Sequence, residues 1–137
     1  MSGWGRTIPG DPSSLSVMLR HAQVVPVDYQ PCRLPFRIFL YKSRYIFRSV
    51  MGDGAISAGM ICAGAGGKDT CNGDSGGPLV TRHPNSGGYS AIGITSWGIG
   101  CARPDTLGVY ANVAHYLDWV AQQFGYSGIG PDLSTIP

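Results

Sequence analysis

CNGDSGGPLV, residues 71–80, sets one serine among three glycines, an aspartate and a proline, four residues after a cysteine. Gly73-Asp74-Ser75-Gly76-Gly77 fits G-x-S-x-G, the pattern of a nucleophilic serine on a sharp strand-to-helix turn. That elbow needs a strand before the serine and a helix after it. Here a cysteine and a polar loop precede Ser75, and Pro78-Leu79-Val80-Thr81 reads as the start of a strand. The stretch therefore argues against an α/β-hydrolase elbow and for a turn that feeds a β-strand. A phosphate-binding loop is excluded too, because Gly67-Lys68 is followed by Asp69 rather than Ser or Thr, and Cys62 stands where its first glycine belongs. Taken alone, a serine in such a run is more often part of a polar turn than a nucleophile.

The surrounding composition extends the β reading. The chain has 137 residues, enough for one domain, with 43% hydrophobic and 13% charged residues. Its 21 glycines and 10 prolines are scattered, as expected of many turns between short strands. A formal net charge of +2 gives no nucleic-acid footprint, although Arg33, Arg37, Lys42, Arg44 and Arg48 make one segment locally basic. Four cysteines without zinc-type spacing read as two disulfides rather than as a metal site, which favours an oxidising, secreted context. Met1 nevertheless leads directly into SGWGRT, with no signal peptide visible in this chain. No run reaches the ~18 apolar residues of a membrane span.

Apolar runs of β character lie between turn clusters: 16–19, 23–27, 78–81, 90–97 and 108–113, separated by DPSS, GDG, HPNSGG and ARPDT. The pattern predicts an all-β barrel or sandwich. One helix is predicted near the end, where Val113, Tyr116, Leu117, Val120 and Phe124 fall at helical spacing and Gly125 can follow its C-terminus. It is expected to lie on the barrel as a lid, with a loose tail over 126–137.

SGWG (2–5), MICAG (60–64), KDTCNGDSGGPLV (68–80), GITSWGIGCA (93–102) and GVYANVAHYLDWV (108–120) together resemble the C-terminal half of a trypsin-like serine protease. The resemblance implies a six-stranded antiparallel Greek-key β-barrel of the chymotrypsin fold with a C-terminal α-helix, forming an incomplete domain over 1–125. It implies Ser75 as nucleophile and the backbone N–H groups of Gly73 and Ser75 as the oxyanion hole. Asp69 matches the acidic floor of the primary specificity pocket, with Ser96, Trp97, Gly98 and Gly108 in its walls. The substrate would be a polypeptide with Arg or Lys at P1. Disulfides Cys71–Cys101 and Cys32–Cys62 are implied, each closing about 31 residues and each stabilising by roughly 3 to 4 kcal/mol in the chain-entropy model. No cofactor and no metal is implied.

The same resemblance identifies departures. A serine hydroxyl at its free pKa is a poor nucleophile and needs a histidine base. None of the three histidines, His21, His83 and His115, stands in the family's alanine-histidine-cysteine context. The family's histidine and aspartate belong to an N-terminal barrel that is the expected missing partner, so the chain alone is expected to be inactive. Asp74 matches the carboxylate that pairs with the N-terminal ammonium released on activation; without it, a zymogen-like or disordered pocket is expected. LPFRIFLYKSRYIF (34–47) has no family counterpart and reads as a gene-model insertion ahead of a functional loop. The alternative to a truncated protease is a non-catalytic, protease-like binding module that keeps the Asp69 pocket.

Overall fold

The computed structural model describes residues 1–27, 56–64, 67–103 and 106–125; Cys32, the expected insertion at 34–47 and the tail at 126–137 lie outside these. The described strands are β1 Ser2–Gly3, β2 Arg20–His21, β3 Val25–Val27, β4 Met60–Gly64, β5 Pro78–Arg82, β6 Tyr89–Trp97 and β7 Gly108–Asn112. Helix α1, Leu117–Gln123, follows a 3-10 turn at Val113–Tyr116. The all-β class with one C-terminal helix is thus the architecture adopted. Five strands make one curled antiparallel sheet in the order β3-β4-β7-β6-β5, and β1 pairs with β2 in a separate ribbon. Strands β5, β6 and β7 are successive neighbours and β4 lies beside β7, which is Greek-key order.

The sheet's order explains its burial. Strands β4 and β7 are central and are covered on both faces, so alternate side chains enter two different clusters. Cys62 and Val109 pack with Ile56 on one side; Ile61, Ala63, Leu79 and Tyr110 pack on the other. Strand β5 is the edge and buries only Leu79, while β6 alternates, burying Gly93 and Thr95. Gly93 has a packing reason: a Cβ there would stand 3.0 Å from the Tyr110 Cβ and 3.2 Å from Leu79.

Two elements differ from expectation. The predicted strand at 16–19 is absent, and pairing begins at Arg20–His21 instead. The Ser16 N–H donates to the Trp4 and Gly5 carbonyls of the N-terminal segment, and its hydroxyl makes a local bond to the Met18 carbonyl at 2.7 Å. Such bonds offer the backbone an alternative to a ladder. The predicted helix is present but starts as a 3-10 turn, and Asn112 before it supplies no side-chain cap. Nor is it covered like a lid packed along its length: of α1 only Ala121 is buried, with Trp119 60% exposed.

Candidate active site

The CNGDSGG stretch folds as two successive β-turns. The Asp74 N–H donates to the Cys71 carbonyl at 3.0 Å, and the Gly77 N–H donates to the Asp74 carbonyl at 2.9 Å. Each turn has glycine at its third position with positive φ, Gly73 at 99° and Gly76 at 80°, the conformation type II turns require there. Ser75 therefore sits at the second position of the second turn, exposed, three residues before β5. Strand β6 clamps this turn from behind: the Gly76 N–H donates to the Thr95 carbonyl and the Thr95 N–H to the Gly77 carbonyl, both at 2.9 Å. Among the described residues, the N–H groups of Gly73 and Ser75 have no hydrogen-bond acceptor.

Asp74 joins this loop to the N-terminal segment. Its Oδ1 accepts from the Gly5 N–H at 2.7 Å and its Oδ2 from the Cys71 N–H at 2.9 Å. A Cβ at Gly3 or Gly5 would collide with the Asp74 carboxylate, which is the physical reason for the glycines of SGWG. Of the expected zymogen-like or disordered pocket, only the unpartnered Asp74 differs from this arrangement, since two backbone donors hold the carboxylate.

A cavity of about 260 Å³ opens beside Ser75 and is lined by six of the expected residues: Asp69, Ser75, Ser96, Trp97, Gly98 and Gly108. Asp69 reaches it from the loop before Cys71. Its Oδ1 accepts from the Thr70 N–H at 2.8 Å and its Oδ2 from the Ala102 N–H at 3.0 Å. Burial pushes its carboxyl above the usual aspartate value, and the two backbone donors oppose that shift. Gly108 leaves room for this carboxylate, because a Cβ there would stand 2.6 Å from Oδ1. Ala102 has φ 54°, alone among the described non-glycine residues in having positive φ, at a cost of about 1–2 kcal/mol for an L-residue. The Cys71–Cys101 disulfide fixes this loop to the Asp69 loop. Cys62 is disulfide-bonded as well, while Cys32, its expected partner, lies outside the described residues.

A second cavity of about 370 Å³ shares Asp69, Thr70, Cys71 and Cys101 with the first and is also lined by Gly3, Gly5 and Asp74. Gly73 and Asp74 do not line the Ser75 cavity. Nor is a histidine brought to the serine. His83 is hydrogen-bonded to the Ser90 hydroxyl at 2.6 Å, His115 meets the Tyr116 ring edge-on, and His21 lies in β2; all three are described, and none bonds Ser75. Among the described residues no cluster of His, Cys, Asp or Glu could hold a metal, and no helix is long and apolar enough to cross a membrane.

Thr95 also lines the Ser75 cavity, as do Thr70, Asn72 and Gly100, and none of these stood out in the sequence as a site residue. The available signal was position: Thr95 immediately precedes Ser96-Trp97 on a strand whose alternation turns it inward.

The Trypsin family model matches residues 1–120. The chain is 45% identical over 125 residues to Trypsin eta of Drosophila melanogaster, covering 90% of this chain and 39% of that protein. It is 37% identical over 138 residues to Testisin of Homo sapiens, covering 98% of this chain and 40% of that one. Trypsin 5G1 of Aedes aegypti is 41% identical over 127 residues, with 91% and 40% covered. The chain thus spans about two-fifths of the length of these curated relatives. With a half-barrel sheet, a helix after it and a serine turn built against an acidic cavity, the chain belongs to the trypsin family of serine proteases.

Proposed function

We propose that this chain is the substrate-pocket part of a secreted, trypsin-like serine endopeptidase that cleaves polypeptides after Arg or Lys. The observation that carries the reading is the Asp69 carboxylate, half-buried on the cavity that Ser75 borders. A carboxylate in a restricted cavity favours a cationic side chain, and the cavity's neighbour is the hydroxyl that would attack the following carbonyl. Ser75 is the nucleophile; the N–H groups of Gly73 and Ser75 receive the oxyanion. The disulfide-bonded cysteines support the secreted context.

Residues 1–125 act as a partial domain whose partner is the other barrel of the fold. That barrel supplies the histidine that takes the serine proton and the aspartate that orients it. The cavity lined by Asp74 receives the activation N-terminus. Without the partner barrel, loss of the base alone lowers turnover on the order of 10⁶-fold, by analogy with a related triad. The chain by itself is then a binder of basic side chains rather than a working enzyme.

The test is two measurements on the purified chain: p-aminobenzamidine binding by calorimetry, and labelling by a fluorophosphonate. Binding with labelling no faster than that of a Ser75→Ala control is expected. A folded chain that binds no amidine contradicts the pocket reading, and fast Ser75 labelling contradicts the need for a partner barrel.

A further inference from the structure

We propose that Asn72 is a self-modification site: its side chain cyclises onto the Gly73 backbone nitrogen and then hydrolyses to aspartate and isoaspartate, with no enzyme or cofactor. The sequence holds three asparagines, Asn72, Asn85 and Asn112, and only the first is followed by glycine. Ser86 and Val113 follow the others, and their side chains crowd an approach that glycine leaves open.

The folded turn leaves both reacting groups free. Asn72 is exposed, and the polar contact of its side chain among the described residues, Oδ1 to the Cys71 sulfur at 4.0 Å, is no hydrogen bond, because a disulfide sulfur carries no proton. The Gly73 N–H, the attacking group, has no acceptor among the described residues. One bond restrains the peptide that joins them: the Asn72 carbonyl accepts from the Arg6 N–H at 2.9 Å, and ring closure proceeds as that bond opens. The fold also fixes the glycine. Gly73 has φ 99°, and a Cβ there would stand 2.9 Å from a Leu15 methyl carbon and 3.2 Å from the Gly5 Cα. The turn and its packing therefore retain the residue that makes Asn72 reactive.

Ring closure forms a bond from the Gly73 nitrogen to the Asn72 Cγ and breaks the Cγ–Nδ2 bond; the Gly73 proton leaves with the amide nitrogen as ammonia. Water then opens the imide and restores the N–H. Attack at the side-chain carbonyl gives aspartate, and attack at the main-chain carbonyl gives isoaspartate, which routes the backbone through an extra methylene. Both products replace a neutral amide by a carboxylate. Asn72 lines the cavity that Asp69 lines, so a second acidic group joins its wall. While the ring lasts, Gly73 has no N–H to offer an oxyanion; this consequence alone rests on the reading of that group given above.

The experiment ages the full 137-residue chain, folded by circular dichroism, at neutral and at mildly alkaline pH beside Asn72→Gln, whose longer side chain closes a larger and slower-forming ring. Peptide mapping by mass spectrometry follows all three asparagines, isoaspartyl methyltransferase detects isoaspartate, and isoelectric focusing follows charge. Asn72 is expected to convert at least about tenfold faster than Asn85. Conversion should be faster at the higher pH, because the attacking nitrogen must lose its proton, and isoaspartate should be among the products. The parent should gain an acidic band that Asn72→Gln lacks. If Asn72 survives as long as Asn85 in the folded chain, the proposal is overturned, with the amidine-binding reading left intact. Conversion to aspartate alone, which is direct hydrolysis without the ring, overturns it too. So does conversion that begins only after unfolding in urea, because the folded turn then protects the residue.

Discussion

The loop from Asp69 to Gly77 and the C-terminal helix are both essential parts of the fold, yet they are stabilised in opposite ways. The loop has almost no buried apolar surface and is held by specific polar bonds: two turns, two clamps from Thr95, two donors on Asp74, two on Asp69 and the Cys71–Cys101 disulfide. Helix α1 has apolar residues at helical spacing but buries only Ala121, and Phe124 at its C-terminus is 76% exposed. Val17, near the N-terminal ribbon, is 93% exposed. The serine loop is thus held by its own bonds, whereas the helix leaves apolar side chains exposed. Tyr116, Trp119, Val120 and Phe124 are all exposed at helical spacing, an apolar stripe of the kind that marks a contact surface.

The sharpest way to break that contrast is to remove the cross-link. The double variant Cys71→Ser, Cys101→Ser should lose about 3 to 4 kcal/mol in urea unfolding, from a closed loop with a sequence separation of 30. A loss below about 1 kcal/mol would mean that the hydrogen bonds alone hold the loop. Next in size is Asp74→Ala, which strands the Gly5 and Cys71 N–H groups and should cost about 2 to 3 kcal/mol, measured the same way. It should also weaken amidine binding, because the Asp69 loop and the serine turn share that anchor. The smallest effect belongs to the helix: Trp119→Gln with Phe124→Ser should change stability by less than about 0.5 kcal/mol, both side chains being exposed. In analytical ultracentrifugation the same variant should self-associate less than the parent. A large loss of stability would show that this face is already packed.

The two regions also differ in how legible they were. The serine turn could be read from residue types because its geometry is local: glycine at 73 and 76 meets a positive φ, and Pro78 opens β5. The site's reach was less visible. That Asp74 excludes side chains at Gly3 and Gly5 depends on a contact between residues about 70 positions apart, which no local pattern reports. Strand β4 was not predicted as a strand because both its faces are buried, so MICAG carries no alternation. The strand expected at 16–19 failed for another reason: its apolar residues suited a ladder, but the Ser16 N–H bonds the Trp4 and Gly5 carbonyls and its hydroxyl the Met18 carbonyl. Spacing located the helix correctly; it could not say that the apolar stripe would be left uncovered, since that depends on what lies beside it.

The titration of Asp69 connects the site's burial to its binding. Its folded pKa is raised, so the folded state holds the proton more tightly than the unfolded chain does. The stability it contributes is therefore present below the ordinary aspartate value of 3.8 and is lost as pH rises through the raised folded value. Binding of a cation has the opposite sign, since it requires the ionised carboxylate, and affinity should fall as pH falls through that same raised value.

The most direct test of the central claim, that Asp69 makes this cavity a receptor for basic side chains, is p-aminobenzamidine affinity against pH for the chain and its Asp69→Asn variant. We expect affinity to be half lost above pH 3.8 in the parent, with at least about tenfold weaker, pH-independent binding in the variant. Equal affinity and equal pH dependence in the two proteins would contradict the account.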